Sequence, residues 1–273
     1  MREPLLFVAL STLLVFACGS EEHAPPPGNN TAYTSDPNKT VVIGSTAGNA
    51  AQDSGGCVKL PSGECLDAKQ CPAGERRDVI VDSAGKVVSV VCYPADSTPP
   101  TIEAPGDVSL GKNDNNGVVA IDGANDGVDI AGNVTAAGNN VVVYGEGAGV
   151  SVIGGNVDST GNNFSLRGVT VKGSVHVVGN NATLVLCVVE GDVILEGNNN
   201  VIADCSVLGK VEIRGVNNVL VANEIGGGVS LGADKNTVCD GNVVWTDSNA
   251  NSVLDPGESG APITCGGDGG NKK

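Results

Sequence analysis

The chain has 273 residues and a formal net charge of −16 at pH 7, from 31 acidic and 15 basic side chains. Such a charge argues against a phosphate-binding surface and therefore against nucleic acid as a partner. Only three Phe, three Tyr and one Trp are present, too few for an ordinary globular core or a sugar-stacking platform. Because 40% of the residues are hydrophobic, the chain is not disordered throughout, and its core consists of Val, Ile, Leu and Ala.

The first segment has the layout of an export signal. Leu5 to Phe16 is nearly all apolar and is too short to span a membrane. Val15-Phe16-Ala17-Cys18 resembles the lipobox of bacterial lipoproteins. The resemblance implies a signal peptide at 1–17, diacylglycerol on the Cys18 thiol and, with no Asp at position 19, sorting to a bacterial outer membrane. The alternative is an ordinary signal peptide cut after Ala17.

Residues 18–56 are rich in Pro, Gly, Asn, Ser and Thr, which predicts a lipid-anchored flexible tether. Residues 57–98 then form a small Cys-rich module, in which Val79 to Val91 predicts a β-hairpin. Zinc is an alternative for the four cysteines, although no spacing is C-x2-C. In an oxidising compartment we expect two disulfides, with the pairing open, among Cys57, Cys65, Cys71 and Cys92.

From Gly161 onward the sequence repeats with a period of eighteen residues. Blocks begin at 161, 179, 197, 215 and 233, and two earlier blocks, 114–137 and 138–160, carry six and five extra residues. Each block contains three short alternating apolar segments separated by Gly or Asn, which is typical of strands. We therefore predict an all-β protein in which residues 101–250 form a triangular parallel β-helix of about seven coils.

The period also assigns residues to stacked columns. Outward columns place Lys172 with Glu190, Asp192 with Lys210, and Glu196 with Arg214, and each pair has opposite charge. Cys187 and Cys205 share one inward column, either as a strained disulfide or as small core residues. The predicted inward columns are Val169, Cys187 and Cys205; Val171, Val189, Val207 and Ile225; Val175, Val193, Val211 and Val229; and Val177, Leu195, Ile213 and Leu231.

Pairs of Asn are predicted to occupy one corner of the coils. Asn tolerates the left-handed backbone that such a corner requires, and its amide can bond the same amide one coil away. We interpret these columns as structural; a ligand groove is the alternative. The pairs stand at 139–140, 162–163, 180–181, 198–199 and 217–218.

The Gly-Asn-Asn punctuation, with V-x-V-x-G-x-V between, resembles an uncharacterised family of exported bacterial proteins with Gly-Asn-Asn repeats. It is more distantly similar to bactofilins and to right-handed pectate-lyase-type helices. The resemblance covers residues 114–250. A right-handed helix is favoured because the hexapeptide rule of left-handed helices is kept only loosely.

The segment 247–258 has the spacing of an EF-hand calcium loop, with oxygen donors at positions 1, 3, 5, 9 and 12 and a carbonyl at 7. It resembles the calcium loops of dockerin-like secreted proteins. Ser252 replaces the usual Gly, and few ligands are charged, so we expect a weak dissociation constant of about 10⁻⁴ to 10⁻³ M. A plain Asn-rich turn is the alternative. The predicted ligands are Asp247, Asn249, Asn251, Val253, Asp255 and Glu258.

Residues 247–273 are predicted to form a C-terminal cap, clamped by a disulfide between Cys239 and Cys265. At the other end, inserted turns at 122–127 and 145–149 give an acidic patch, which is a weak cation or partner site or a tolerated surface loop.

Catalytic groups are sparse. His176 stacks one coil from Asp158 with Ser174 nearby, but on a flat face without a pocket, and Arg167 and Arg214 are isolated. The sequence therefore predicts a non-catalytic, lipid-anchored cell-envelope protein with a structural or binding role, whose partner is an envelope protein or polysaccharide. The alternative is a carbohydrate-active β-helix enzyme, a polysaccharide lyase or hydrolase.

Overall fold

The computed structural model describes residues 32–33, 42–45, 57–59, 65–67, 71, 75–81, 87–94, 104–122, 128–146, 150–232, 236–246, 248–249, 258–266 and 270–272. Their regular structure is entirely β, as the sequence predicts. No described segment is a helix with the length and hydropathy needed to cross a membrane. The signal peptide 1–17 and Cys18 lie outside the described residues, as do Asp247, Asn251, Val253 and Asp255 of the calcium-like loop.

A small antiparallel sheet precedes the repeats. It contains β1 (Ala32–Tyr33), β2 (Val42–Ser45), β5 (Glu75–Val81) and β6 (Val87–Pro94) in that order. Strands β5 and β6 form the predicted hairpin. The segment predicted to be a tether contributes β1 and β2, because its short apolar run pairs with the open edge of β5. A separate hairpin consists of β3 (Cys57–Lys59) and β4 (Cys65–Asp67).

Three seven-stranded sheets form the sides of a triangular solenoid. The first side contains β8 (Val118–Asp122), β10 (Val142–Glu146), β13 (Ser165–Arg167), β16 (Thr183–Val185), β19 (Val201–Ala203), β22 (Val219–Val221) and β25 (Val238–Asp240). The second side contains β11 (Ser151–Ile153), β14 (Val169–Val171), β17 (Val188–Val189), β20 (Ser206–Val207), β23 (Glu224–Ile225), β26 (Val243–Trp245) and β27 (Ser259–Pro262). The third side contains β7 (Val108–Leu110), β9 (Val134–Ala136), β12 (Val157–Ser159), β15 (Val175–Val178), β18 (Val193–Glu196), β21 (Val211–Arg214) and β24 (Val229–Leu231).

The strand register confirms the period of eighteen. Val175, Val193, Val211 and Val229 are successive Cα partners in parallel strands. The two insertions lengthen their coils as predicted, since Val118 pairs with Val142 and Val142 with Ser165. The last block was placed one residue off: Val219 pairs with Val238, because the turn between β24 and β25 contains one extra residue.

The predicted inward columns form the core. Every member is buried, with at most 7% of its surface exposed, and together they make one continuous apolar cluster. Cys187 and Cys205 are free thiols in this core and do not form a disulfide. Small branched side chains suit it, because three close sheets leave little width for aromatic rings.

The Asn corner adopts the predicted left-handed backbone. Six residues of this column have φ of 56–60°, and four of them donate their side-chain amides to the equivalent amide one coil away at 2.7–3.4 Å, as Asn236 does to Asn217 at 3.2 Å. The pair 217–218 departs from the prediction: Asn217 occupies the corner, but Asn218 is fully buried, because Val216 fills the place of the first Asn. The six corner residues are Asn116, Asn140, Asn163, Asn181, Asn199 and Asn217.

Disulfides fasten both ends of the described chain. Cys71 is bonded to Cys92 across the N-terminal module, and Cys239 is bonded to Cys265, each with a Cα–Cα distance of 5.6 Å. The second bridge ties β28 (Thr264–Gly266), which pairs with β29 (Gly270–Lys272), to the last coil. This hairpin lies against β24 and β25 and closes the C-terminal end of the core.

Candidate functional site

The outer face of the first side is apolar and is covered by the N-terminal sheet. Val185, Ala203 and Val221 point away from the solenoid core, because the alternate residues of their strands point into it. They pack instead against Ile80 and Val91 of the N-terminal sheet. One flank of the solenoid is therefore closed to partners by the protein's own module.

A buried ion pair lies at this junction. Asp78 is fully buried and its carboxylate accepts hydrogen bonds from Arg167 Nε and, at 3.5 Å, from Nη2. Tyr93 Oη donates to the same carboxylate at 3.4 Å, and the guanidinium lies 4.1 Å from the centre of the Tyr93 ring. The Tyr93 and Tyr144 ring centroids are 5.8 Å apart. The prediction that Arg167 is isolated was wrong, because the sequence does not show which side chains the module brings to it.

The electrostatics of the junction favour the charged form of Arg167. Burial of the guanidinium works to lower its pKa, but the adjacent Asp78 carboxylate and its hydrogen bond outweigh this effect and raise the pKa above its usual value. Arg167 therefore keeps its positive charge next to the Asp78 carboxylate. Such an arrangement fixes the position of the N-terminal sheet against the solenoid.

The described charges beside the third side pair mainly with each other. Lys172 forms an ion pair with Glu190, and Arg214 Nη1 lies 2.7 Å from Glu196 Oε1, so both predicted column pairs are present. The third predicted pair, Asp192 with Lys210, is not formed by the two side chains, because Lys210 Nζ lies 3.0 Å from Glu212. Asp192 instead accepts the Lys210 backbone N–H at 2.9 Å, because its short side chain reaches the next turn before it reaches the ammonium group.

Glu212 forms ion pairs with two basic side chains, Lys210 and Arg214, and these contacts change its pKa. Hydrogen bonds from Arg214 and Lys210 hold the pKa of this half-buried carboxyl below its usual value. The same contact with Glu212 raises the pKa of Arg214. Arg214 is thus not isolated either, since it bridges carboxylates of adjacent coils.

The surroundings of His176 do not match a hydrolase triad. Its Nε2 lies 3.0 Å from Glu196 Oε1 and its Nδ1 lies 3.9 Å from Asp158 Oδ1. Ser174, the nearest hydroxyl in sequence, accepts the Asp192 backbone N–H at 3.0 Å. His176 thus joins a surface charge network, while Ser174 belongs to a ladder along a corner.

A second ladder, buried and not predicted from the sequence, runs beside the thiols. The Cys187 backbone N–H donates to Cys205 Sγ at 3.4 Å, and the Cys205 N–H donates to Asn223 Oδ1 at 3.0 Å. Asn223 in turn donates to Asn242 Oδ1, through its N–H at 3.0 Å and its side-chain amide at 2.8 Å. Cys205 Sγ is therefore the acceptor at a position where later coils use an amide oxygen. Burial raises the pKa of the Cys205 thiol. The only sequence signal was the change from Val and Cys to Asn within one column.

Three residues of the calcium-like loop are described, and two of them, Asn249 and Glu258, are predicted ligands. Glu258 is buried, and its Oε2 accepts the Trp245 indole N–H at 3.3 Å. Its Oε1 accepts the Ser248 backbone N–H at 2.9 Å, next to exposed Asn249. Near the other end, Cys71, Cys92 and Glu75 gather within 4.8 Å, but the disulfide uses both sulfur atoms and leaves no thiolate for zinc.

These features define an all-β protein of the parallel β-solenoid class, with a small sheet docked on one flank. Comparisons of the chain with protein-family models, with curated proteins and with solved structures find no match. The functional argument therefore depends on the residues and their contacts.

Proposed function

We propose that the chain is an exported, lipid-anchored cell-envelope protein whose β-solenoid is a non-catalytic structural or binding module. The observation that carries the proposal is the use of the described polar groups. His176, Arg214 and Lys210 pair with neighbouring carboxylates, and Ser174 accepts a backbone N–H. Groups held in such contacts already have partners and stabilise a rigid surface.

The lipid anchor depends on the lipobox-like sequence that ends at Cys18. Acyl chains on this cysteine would hold the protein stably at a membrane, because each buried methylene contributes about 0.8 kcal/mol. We expect the wild-type protein made in a Gram-negative host to enter the detergent phase of a phase-separation extract, and Cys18→Ala to stay in the aqueous phase. Equal partitioning of the two proteins would contradict anchoring at Cys18.

An enzymatic alternative remains testable because His176 lies between two carboxylates. A polysaccharide lyase would release unsaturated products and a hydrolase would release reducing ends. We expect neither above the buffer background when the protein is incubated with a panel of acidic and neutral envelope polysaccharides. Depolymerisation that disappears in His176→Ala and persists in Ser230→Ala, a neutral change on the same face, would favour the enzyme.

Calcium binding by the loop 247–258 is the second part of the proposal. Trp245 is the only tryptophan, and its indole N–H donates to Glu258, the last residue of the loop. A cation that takes the Glu258 oxygens must alter this hydrogen bond, so we expect calcium to shift the fluorescence of Trp245 at about 10⁻⁴ to 10⁻³ M. Glu258→Gln should abolish the shift. No shift in the wild-type protein at 10 times those concentrations would contradict the site.

A further inference from the structure

Two sulfur atoms and a carboxylate lie close together in the N-terminal sheet. Cys71 Sγ, Cys92 Sγ and one carboxylate oxygen of Glu75 are all within 4.8 Å of one another, and the three residues are half-buried. In the part of the chain that the structure describes, no other group of three His, Cys, Asp or Glu side chains is gathered as closely. These three residues are therefore the described side chains best placed to share a metal ion.

The pairing of β5 with β6 determines which way this group faces. Glu75 is the Cα partner of Pro94, which follows Cys92 by two residues. Because partners and alternate residues share a face of a sheet, Glu75 and Cys92 lie on the same face. The opposite face carries Asp78 and Val91, which contact the solenoid. The group is thus turned away from the solenoid, and its partial exposure makes it accessible to small solutes.

The oxidation state of the two cysteines decides what the group can bind. In the disulfide neither sulfur atom is a thiolate, and the bridge has no N–H or O–H group to donate to the Glu75 carboxylate. A dithiol reductant would open the bridge by thiol–disulfide exchange. The S–S bond breaks, both cysteines become thiols, and the reductant gives up two hydrogens and leaves as a disulfide. Two thiols then stand beside the carboxylate.

We propose that Cys71, Cys92 and Glu75 form a redox-switched zinc site, which binds zinc when the two cysteines are reduced and releases it when the disulfide forms. Zinc accepts Cys sulfur and carboxylate oxygen at about 2.0–2.3 Å, so its ligand atoms are at most about 4.6 Å apart. The observed grouping within 4.8 Å agrees with this limit. On binding, the two thiols lose their protons, and a water molecule completes the tetrahedron.

The test is calorimetric titration of the full chain with zinc chloride, before and after reduction with a phosphine, which supplies no thiol of its own. The reduced protein should bind one zinc ion more per chain than the oxidised protein. Glu75→Gln should lower the affinity of this additional site at least about tenfold, since even the outer partners of metal ligands are worth this much. Glu190→Gln, which removes a half-buried carboxyl of the solenoid, is the matched control and should leave the affinity unchanged.

Cadmium chloride shows whether thiolates are the ligands, because bonds between cadmium and thiolate absorb in the ultraviolet. The absorption band should appear only after reduction and should be lost in Cys92→Ser. It should persist in Cys239→Ser/Cys265→Ser, which lacks the bridge of the C-terminal hairpin. This pair of variants separates the proposed site from other cysteines of the chain.

Four outcomes would overturn the proposal: equal zinc binding by the oxidised and reduced proteins, unchanged affinity after Glu75→Gln, an equal loss in Glu190→Gln, or a cadmium band that persists in Cys92→Ser. Glu75→Gln keeps both cysteines, so circular dichroism can compare its fold with the wild type in each redox state. If reduction unfolds the N-terminal sheet, recovery of the sheet on addition of zinc supports the site, and no recovery refutes it.

Discussion

Replacing Asp78 with Ala tests whether the N-terminal sheet and the solenoid unfold as one unit. The substitution leaves the Arg167 guanidinium, whose side chain is 18% exposed, without its carboxylate. Breaking a buried pair in this way costs about 3–5 kcal/mol, because the remaining charge is desolvated and uncompensated. The partial exposure of Arg167 and its contact with the Tyr93 ring place the expected loss near the lower limit, about 3 kcal/mol.

The assay is urea unfolding followed by Trp245 fluorescence, which reports on the last coil, and by circular dichroism. Glu196→Ala is the matched control, since it removes only contacts with the exposed side chains of Arg214 and His176 and should cost at most about 1 kcal/mol. Adding Arg167→Met to Asp78→Ala should recover much of the loss, because no buried charge then remains. The reasoning is refuted if Asp78→Ala lowers the free energy of unfolding no more than Glu196→Ala does.

Three further predictions concern the repeats. A Cβ on Gly197 would lie 1.9 Å from a backbone oxygen of the preceding coil, so Gly197→Ala should lower the free energy of unfolding by about 3 kcal/mol or more. Gly168 has φ +61° and open space around it, so Gly168→Asn should cost at most about 1 kcal/mol. Equal costs of the two substitutions in urea unfolding would contradict the steric argument. Asn223→Ala removes the acceptor of the Cys205 N–H and should lower the free energy of unfolding by about 1–3 kcal/mol per unsatisfied group. An unchanged free energy in the same urea unfolding would contradict the buried ladder. The core thiols, Cys187 and Cys205, should resist iodoacetamide in the native protein and react after denaturation, because both are buried and the pKa of Cys205 is raised. Labelling of the native protein, detected by mass spectrometry, would instead show that the core opens.

The architecture could be predicted because its signals are local and repeated. Alternation along residues such as Val211, Glu212 and Ile213 assigns one face to the core and one to solvent, and the period of eighteen then fixes the register. The Asn corner follows from the same period together with the tolerance of Asn for positive φ. The slip in the last coil was missed because one extra residue in a turn leaves the apolar pattern of its strands unchanged.

The covered flank had a sequence signal that period analysis alone does not use. Strands of the first side read as continuous apolar runs, such as Val201-Ile202-Ala203 and Val219-Leu220-Val221, whereas strands of the third side alternate. Continuous runs are typical of strands that are buried on both faces. The partner of that second face, however, comes from residues about 90 positions away, as in the contact between Ser89 Oγ and Thr183 Oγ1 at 3.3 Å. Such pairing between distant segments leaves no periodic trace.

The negative charge of the solenoid is concentrated in its N-terminal coils. From Lys172 to Arg214 the described cations sit beside carboxylates of the same or the next coil, so that region is close to internally neutralised. Between Lys112 and Arg167 there are six acidic residues and no basic one. Arg167 does not offset them, because its charge is already paired with Asp78 of the docked sheet. Much of the negative field of the solenoid therefore arises from the coils with inserted turns, and screening by salt or binding of divalent cations should change that end more than the paired middle.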